Sequence, residues 1–180
     1  MQRISSITTD HQVILEGLHV LRLIADRMEK NGPVEADDQV AVLGFLRDVG
    51  CVCISNTEQL ILRPALDRAR NHEHIRRLQS ALACCYAVQP LFDDLASEVT
   101  FRKFFVLHSK LFTNLVSDII LEGDRSLLQL AVDLLDDAEG RTNIEKFAET
   151  ERRIGATAIE LIPALQRLEA KYGHFHTETA

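Results

Sequence analysis

The chain has 180 residues, of which 46% are hydrophobic and 26% charged, so a globular protein with its own core is expected. A net charge of −7 argues against a phosphate-binding surface of clustered Lys and Arg, and we expect no nucleic-acid partner. The first residues lack the apolar core of a secretory signal, and no apolar run approaches the ~20 residues of a membrane span. The sequence predicts a soluble, cytoplasmic protein with no membrane partner.

Apolar residues recur every three or four positions through most of the chain, which predicts helices. Four long helices are expected at about residues 9–30, 38–63, 71–90 and 100–122. Asn31-Gly32-Pro33 should stop the first, and Pro64 should end or tighten the second. The third should kink or end at Pro90, because proline has no N–H to donate.

Two further helical segments, 125–138 and 144–172, follow these four. Short connections favour antiparallel neighbours, so the predicted fold class is all-α, an up-down four-helix bundle with additional C-terminal helices. We assign residues 1–139 to the bundle and 140–180 to a C-terminal helix and tail. The apolar face of that helix is expected to pack on the bundle or on a second subunit of a homodimer.

Each of the four long helices carries one potential metal ligand on its predicted inward stripe: His11, Glu58, His72 and His108. Buried imidazole and carboxylate groups need a metal or one another, since leaving them unpaired costs several kcal/mol. His74 is the alternative to His72, because it lies on an equally apolar stripe. One turn from Glu58 and from His108, where a two-metal site needs further ligands, the residues are Ile54 and Phe112.

Short sequence motifs surround these candidate ligands. Residues 45–47 read FLR, 53–59 read CISNTEQ, 62–66 read LRPAL and 72–76 read HEHIR. Over about residues 10–122 the chain resembles the hemerythrin-like family of HHE cation-binding domains. The family pattern for the second helix is F-L-R, then H-H-x-K-E-E, then L-F-P-A-L.

The resemblance implies a site for two irons bridged by carboxylates, which binds O2 or NO or handles iron. Ile54 and Ser55 replace the two family histidines, Gln59 replaces one carboxylate, and Phe112 replaces the Glu of the fourth helix. The remaining ligands form a two-His-one-carboxylate set, with His11 as a further nitrogen. We therefore expect one non-haem Fe, or alternatively Zn or Mn.

A metal-free reading stands beside the metal-binding one. Ile54 and Phe112 are bulky apolar groups of the kind that would refill a vacated cavity, leaving a regulatory or protein-interaction bundle. A third reading is a redox switch that pairs Cys51 or Cys53 with Cys84 or Cys85. Catalysis by nucleophilic side chains or organic cofactors has no support, because no triad or phosphate-binding loop is present.

Overall fold

The structure is a computed structural model that describes residues 7–122 and 125–173, and the predicted tail from residue 174 lies outside it. Within these residues there are six helices and no strand, which confirms the all-α prediction. The helices are α1 (Ile7–Glu29), α2 (Ala36–Arg68), α3 (His72–Ser97), α4 (Arg102–Glu122), α5 (Arg125–Leu134) and α6 (Ala138–Gly173).

Local sequence explains two of the helix ends. Asn31 adopts a left-handed conformation, with φ of 58°, directly after α1. The N–H of Gly32 donates to the carbonyl of Arg27 and that of Asn31 to Met28, which satisfies the last turn of the helix. At the start of α3 the side chain of Asn71 accepts hydrogen bonds from the first-turn amides, as an N-cap residue does.

Two π-helical turns, Leu46–Cys51 and Glu58–Leu62, interrupt the α geometry of α2. Each closes i→i+5 hydrogen bonds, so the inward face shifts by about one residue along the sequence. A regular α-helical spacing that includes Glu58 would put Val40 and Arg47 on the inward face, but both are exposed.

Neither Pro64 nor Pro90 ends its helix. The helix α2 continues past Pro64 to Arg68, directly after the second π turn. The helix α3 continues through Pro90 to Ser97, because Phe92 and Leu95 beyond the proline are buried in the core. Tertiary packing here outweighs the ~3 kcal/mol cost of an interior proline.

The first four helices contact one another in sequence, and α1 also contacts α4. The helix α6 lies along α1 and α2, and α5 contacts α2, α3 and α6. The C-terminal apolar face, made by Ile154, Ala158, Leu165 and Leu168, is buried within this chain. Packing of these faces supplies most of the stability of the helices.

A polar clamp fixes the end of α6 to the start of α2. The Tyr172 hydroxyl donates to Oδ2 of Asp38 over 2.6 Å and accepts the N–H of Glu35 over 3.4 Å. Lys171 pairs with Asp38 at 2.6 Å and with Glu35 at 2.7 Å. The clamp holds α6 in a defined register on α2.

By length and composition alone, Ala36–Arg68 and Arg102–Leu121 are apolar enough to cross a membrane. This is weak evidence, because half of the apolar window in α2 is buried inside the protein, as in an ordinary core helix. In α4 only 28% of the window is buried. Its exposed face carries an apolar stripe of Phe104, Leu107 and Leu111, and Phe101, which directly precedes the helix, is exposed as well. The cytoplasmic location stays a prediction.

Candidate functional site

His11, the predicted ligand on α1, lies half-buried at the wall of a cavity of about 260 Å³. Burial lowers the pKa of His11 below its usual value, because the charged imidazolium is poorly solvated there. The imidazole is therefore neutral around pH 7, with one nitrogen able to donate and the other able to accept a hydrogen bond.

Glu58 is largely buried, with 13% of its side chain exposed, but it faces a cation. The guanidinium of Arg63 donates to Oε1 of Glu58 over 3.1 Å and to the Tyr86 hydroxyl over 3.0 Å. Residues five apart do not face each other on an α-helix, but the π turn Glu58–Leu62 brings them together. The carboxylate predicted as a metal ligand is thus an ion-pair partner.

His72 and His74 both lie in the first turn of α3. His72 is exposed to solvent as the first residue of the helix, whereas His74 is half-buried. Neither of them lines the cavity beside His11.

His108 contacts a carboxylate at the other end of α3. Its Nδ1 lies 3.1 Å from Oε2 of Glu98, just beyond the last residue of that helix. Both atoms are shielded from solvent, and neither makes a well-aligned hydrogen bond to any described residue. At this distance the two side chains form an ion pair whenever the imidazole is protonated.

The side chains of the four predicted ligands do not come together at one site. Among the described residues, no group of three or more His, Cys, Asp or Glu side chains is arranged to hold a metal ion. A metal would require Glu58 to leave Arg63, His108 to leave Glu98, and the helix-end His72 to move inward. The donor set therefore does not fit a metal in this conformation, and metal binding stays a prediction.

Bulky apolar side chains occupy the two positions where the hemerythrin-like resemblance implies further ligands. Ile54 is buried and lines the same cavity as His11. Phe112 is 1% exposed, and its ring packs against Phe92 with 5.5 Å between the ring centroids. Such close packing is typical of a protein core and puts an apolar ring, which cannot bind a metal, at residue 112.

The cavity receives side chains from α1 to α5. Most of its wall is apolar, including Ile14, Ile54, Leu62, Ile119, Leu127 and Leu128. Two charged residues also line it, Arg77 from α3 and Asp118 from α4, and both are exposed to solvent. An apolar chamber with a few polar groups is the usual form of a small-molecule site.

Sequence reasoning missed several polar residues around these helices. Glu151 on α6 is 3% exposed and accepts from Asn56 over 3.1 Å and from the Cys53 thiol over 3.8 Å. Glu151 lies one helical turn before Ile154 on the apolar face of α6, so this spacing could have identified it as a buried residue. For Arg77 and Asp118 the sequence carries no such signal, because each is a charged residue on an exposed helix surface.

Burial works against reactivity at two of the four cysteines. Burial raises the pKa of both Cys51 and Cys85 to about 12. The nucleophilic thiolate is therefore scarce at neutral pH. None of the four cysteines is in a disulfide. Neither observation favours the redox-switch reading.

The chain was compared with protein-family models, with curated proteins and with solved structures, and no match was found. The hemerythrin-like resemblance therefore stays a prediction that rests on the motifs themselves.

Proposed function

We propose that this protein is a metal-independent regulatory bundle that binds a small molecule in the cavity beside His11. The observation that carries the proposal is the cavity itself, about 260 Å³ in volume and mostly apolar. An engineered apolar cavity of ~150 Å³ is large enough to bind benzene, so this volume suits a somewhat larger ligand.

The placement of the predicted ligands supports a metal-independent role. Arg63 engages Glu58, Glu98 lies against His108, and His72 faces solvent. Ile54 stands on the cavity wall where the family resemblance implies a histidine. We propose that the site of a metal-binding ancestor became a chamber for an apolar ligand.

The proposed architecture is an up-down four-helix bundle formed by α1 to α4. Contacts between successive helices, together with those between α1 and α4, support a closed ring of four. In this arrangement α6 covers the groove between α1 and α2, and α5 closes the cavity at its side. A regulatory role follows if ligand binding changes how α5 or α6 docks.

A second candidate function is a mononuclear metal site, of Fe or alternatively Zn or Mn, that binds O2 or NO. The neutral imidazole of His11 favours it, since a metal binds the unprotonated form. This candidate requires Glu58 to be released. Arg63→Ala should then raise the iron content after anaerobic Fe(II) loading, whereas our proposal expects no change. Arg47→Ala, an exposed change on the same helix, is the control.

Calorimetric titration of chelator-treated protein with indole tests the proposal. We expect one indole per chain with a dissociation constant between about 10 µM and 1 mM, as ligand-efficiency bounds allow for nine heavy atoms. Ala81→Trp should abolish binding, because residue 81 lines the cavity. Ala83→Trp, at an exposed position on the same helix, should retain it.

Binding that survives Ala81→Trp, or that requires added iron, would contradict the proposal. Circular dichroism of both tryptophan variants controls for the loss of helical structure.

A further inference from the structure

The two charged side chains at the cavity have opposite signs and come from different helices. Arg77 belongs to α3 and Asp118 to α4, and both line the chamber while remaining exposed to solvent. They therefore lie where the cavity opens to water. A ligand that enters the apolar chamber would present its polar end to these two groups.

Neither group forms an ion pair with a described residue. One guanidinium nitrogen of Arg77 donates to the neutral hydroxyl of Ser126 over 2.9 Å, which leaves its other N–H groups available. No hydrogen bond or ion pair to a described residue engages the carboxylate of Asp118. The guanidinium prefers a planar carboxylate, and the carboxylate prefers an ammonium group.

The interior offers space for an apolar side chain and little else. Ile14, Ile54 and Leu62 are buried and form the inner wall, with Leu127 from α5 beside them. Polar contacts to a ligand inside are limited to His11 and a few hydroxyl or thiol groups. A volume of about 260 Å³ accommodates a side chain as large as that of leucine or phenylalanine.

From this arrangement we infer that the ligand is a small zwitterion with an apolar side chain, of the chemical class of the hydrophobic α-amino acids. Arg77 binds its carboxylate, Asp118 binds its ammonium group, and the apolar chamber takes its side chain. The inference rests on the proposed function, because it assigns a ligand class to the same cavity. It explains why one cation and one anion line a chamber that is otherwise mostly apolar.

Four aromatic probes of similar size separate the contributions of the charges. Chelator-treated protein is titrated calorimetrically with L-phenylalanine, 3-phenylpropionate, phenethylamine and indole. We expect L-phenylalanine to bind at least 10-fold more tightly than either singly charged analogue. Charge-assisted hydrogen bonds are the stronger kind, and only the zwitterion makes both.

Two charge variants assign the two ends of the ligand. Arg77→Ala should weaken L-phenylalanine and 3-phenylpropionate at least 10-fold and leave phenethylamine within 2-fold. Asp118→Asn should weaken L-phenylalanine and phenethylamine and leave 3-phenylpropionate within 2-fold. Arg76→Ala and Asp94→Asn, at exposed positions away from the cavity, are the matched controls and should change nothing.

The outcomes separate the two proposals. Indole binding that equals or exceeds the binding of L-phenylalanine would overturn the zwitterion inference and leave the cavity proposal standing. Binding of L-phenylalanine that neither charge variant weakens would overturn the inference as well. If none of the four probes binds the correctly folded protein, both proposals fail.

Discussion

The rings of Phe92 and Phe112 lie 5.5 Å apart between centroids at an interplanar angle of 58°, joining α3 to α4 in the core. Tilted aromatic pairs of this kind stabilise a core beyond the area that they bury. Phe112 stands where the family resemblance implies a metal-ligating glutamate. If residue 112 is an ordinary core position, a carboxylate there should destabilise the protein. If it is a former metal-ligand position, a carboxylate there should be tolerated or should bind metal.

Phe112→Glu should therefore destabilise the protein by about 4 kcal/mol or more, since it removes a buried ring and leaves a buried carboxyl. Phe104→Glu on the same helix should cost less than about 0.5 kcal/mol, because Phe104 is exposed. Urea unfolding of both variants measures the difference. A Phe112→Glu protein that is as stable as Phe104→Glu, or that binds iron, would argue for a ligand position.

Tyr172→Phe tests the clamp that docks the end of α6. The change removes the 2.6 Å hydrogen bond from the hydroxyl to Asp38 while keeping the buried ring. We expect the free energy of unfolding to fall by about 1.5–3 kcal/mol, the value of a hydrogen bond to a charged group. Tyr86→Phe also removes a hydrogen bond to a charged group, the one from Arg63, but at a solvent-exposed site, so it should change the free energy of unfolding by less than about 0.5 kcal/mol. Equal effects of the two changes would mean that the clamp contributes nothing specific.

The clamp also predicts a dependence on pH. Burial tends to raise the pKa of Asp38, but hydrogen bonds from Lys171 and Tyr172 outweigh it and lower that pKa below 3.8. With the pKa lower in the folded state, the stabilisation is present above pH 3.8 and is lost as the pH falls through the folded pKa.

Asp38→Asn should therefore destabilise the protein at pH 6, and the difference from the unchanged protein should shrink at pH 3. Urea unfolding at both values gives this difference, with the neighbouring exposed Asp37→Asn as control. A difference that stays constant or grows towards low pH would show that the charge of Asp38 is not what the clamp uses.

One of the four thiols should react much faster than the others in the native protein. Cys84 is half-buried, whereas the pKa of about 12 at Cys51 and Cys85 leaves on the order of one thiolate in 10⁴ at pH 8. We expect a single fast-reacting cysteine in native protein, four in urea, and loss of the fast phase in Cys84→Ser. Mass spectrometry identifies the modified residue. Fast labelling of Cys51 or Cys85, or a bridge from either under mild oxidant, would restore the redox reading.

Regular periodicity was enough to predict the helices. The apolar spacing located all six, and Asn31 and Asn71 marked an end and a start that the structure confirms. Of the alternatives predicted for the two prolines, the ending of the helix was wrong at both, because a local rule about backbone donors does not include the packing of Phe92 beyond Pro90.

The register of α2 could not be predicted in the same way. A regular 3.6-residue spacing placed Val40 and Arg47 on the inward face, but the first π turn adds one residue between the two halves of the helix. The second π turn brings Arg63 onto Glu58, a pairing that no α-helical spacing predicts. Such π turns depend on tertiary packing, which the local sequence does not show. The cavity with Arg77 and Asp118 could not be predicted either, because it depends on how five helices meet.

The most direct test of the central claim is a methyl NMR titration of chelator-treated protein, labelled at isoleucine, with indole. If the cavity binds a small apolar molecule without metal, the methyl signals of Ile14, Ile54, Ile119 and Ile120 should shift together. The signal of Ile159, which is exposed on α6, should stay in place. Shifts that are absent, that include Ile159 equally, or that appear only after iron is added would contradict the account.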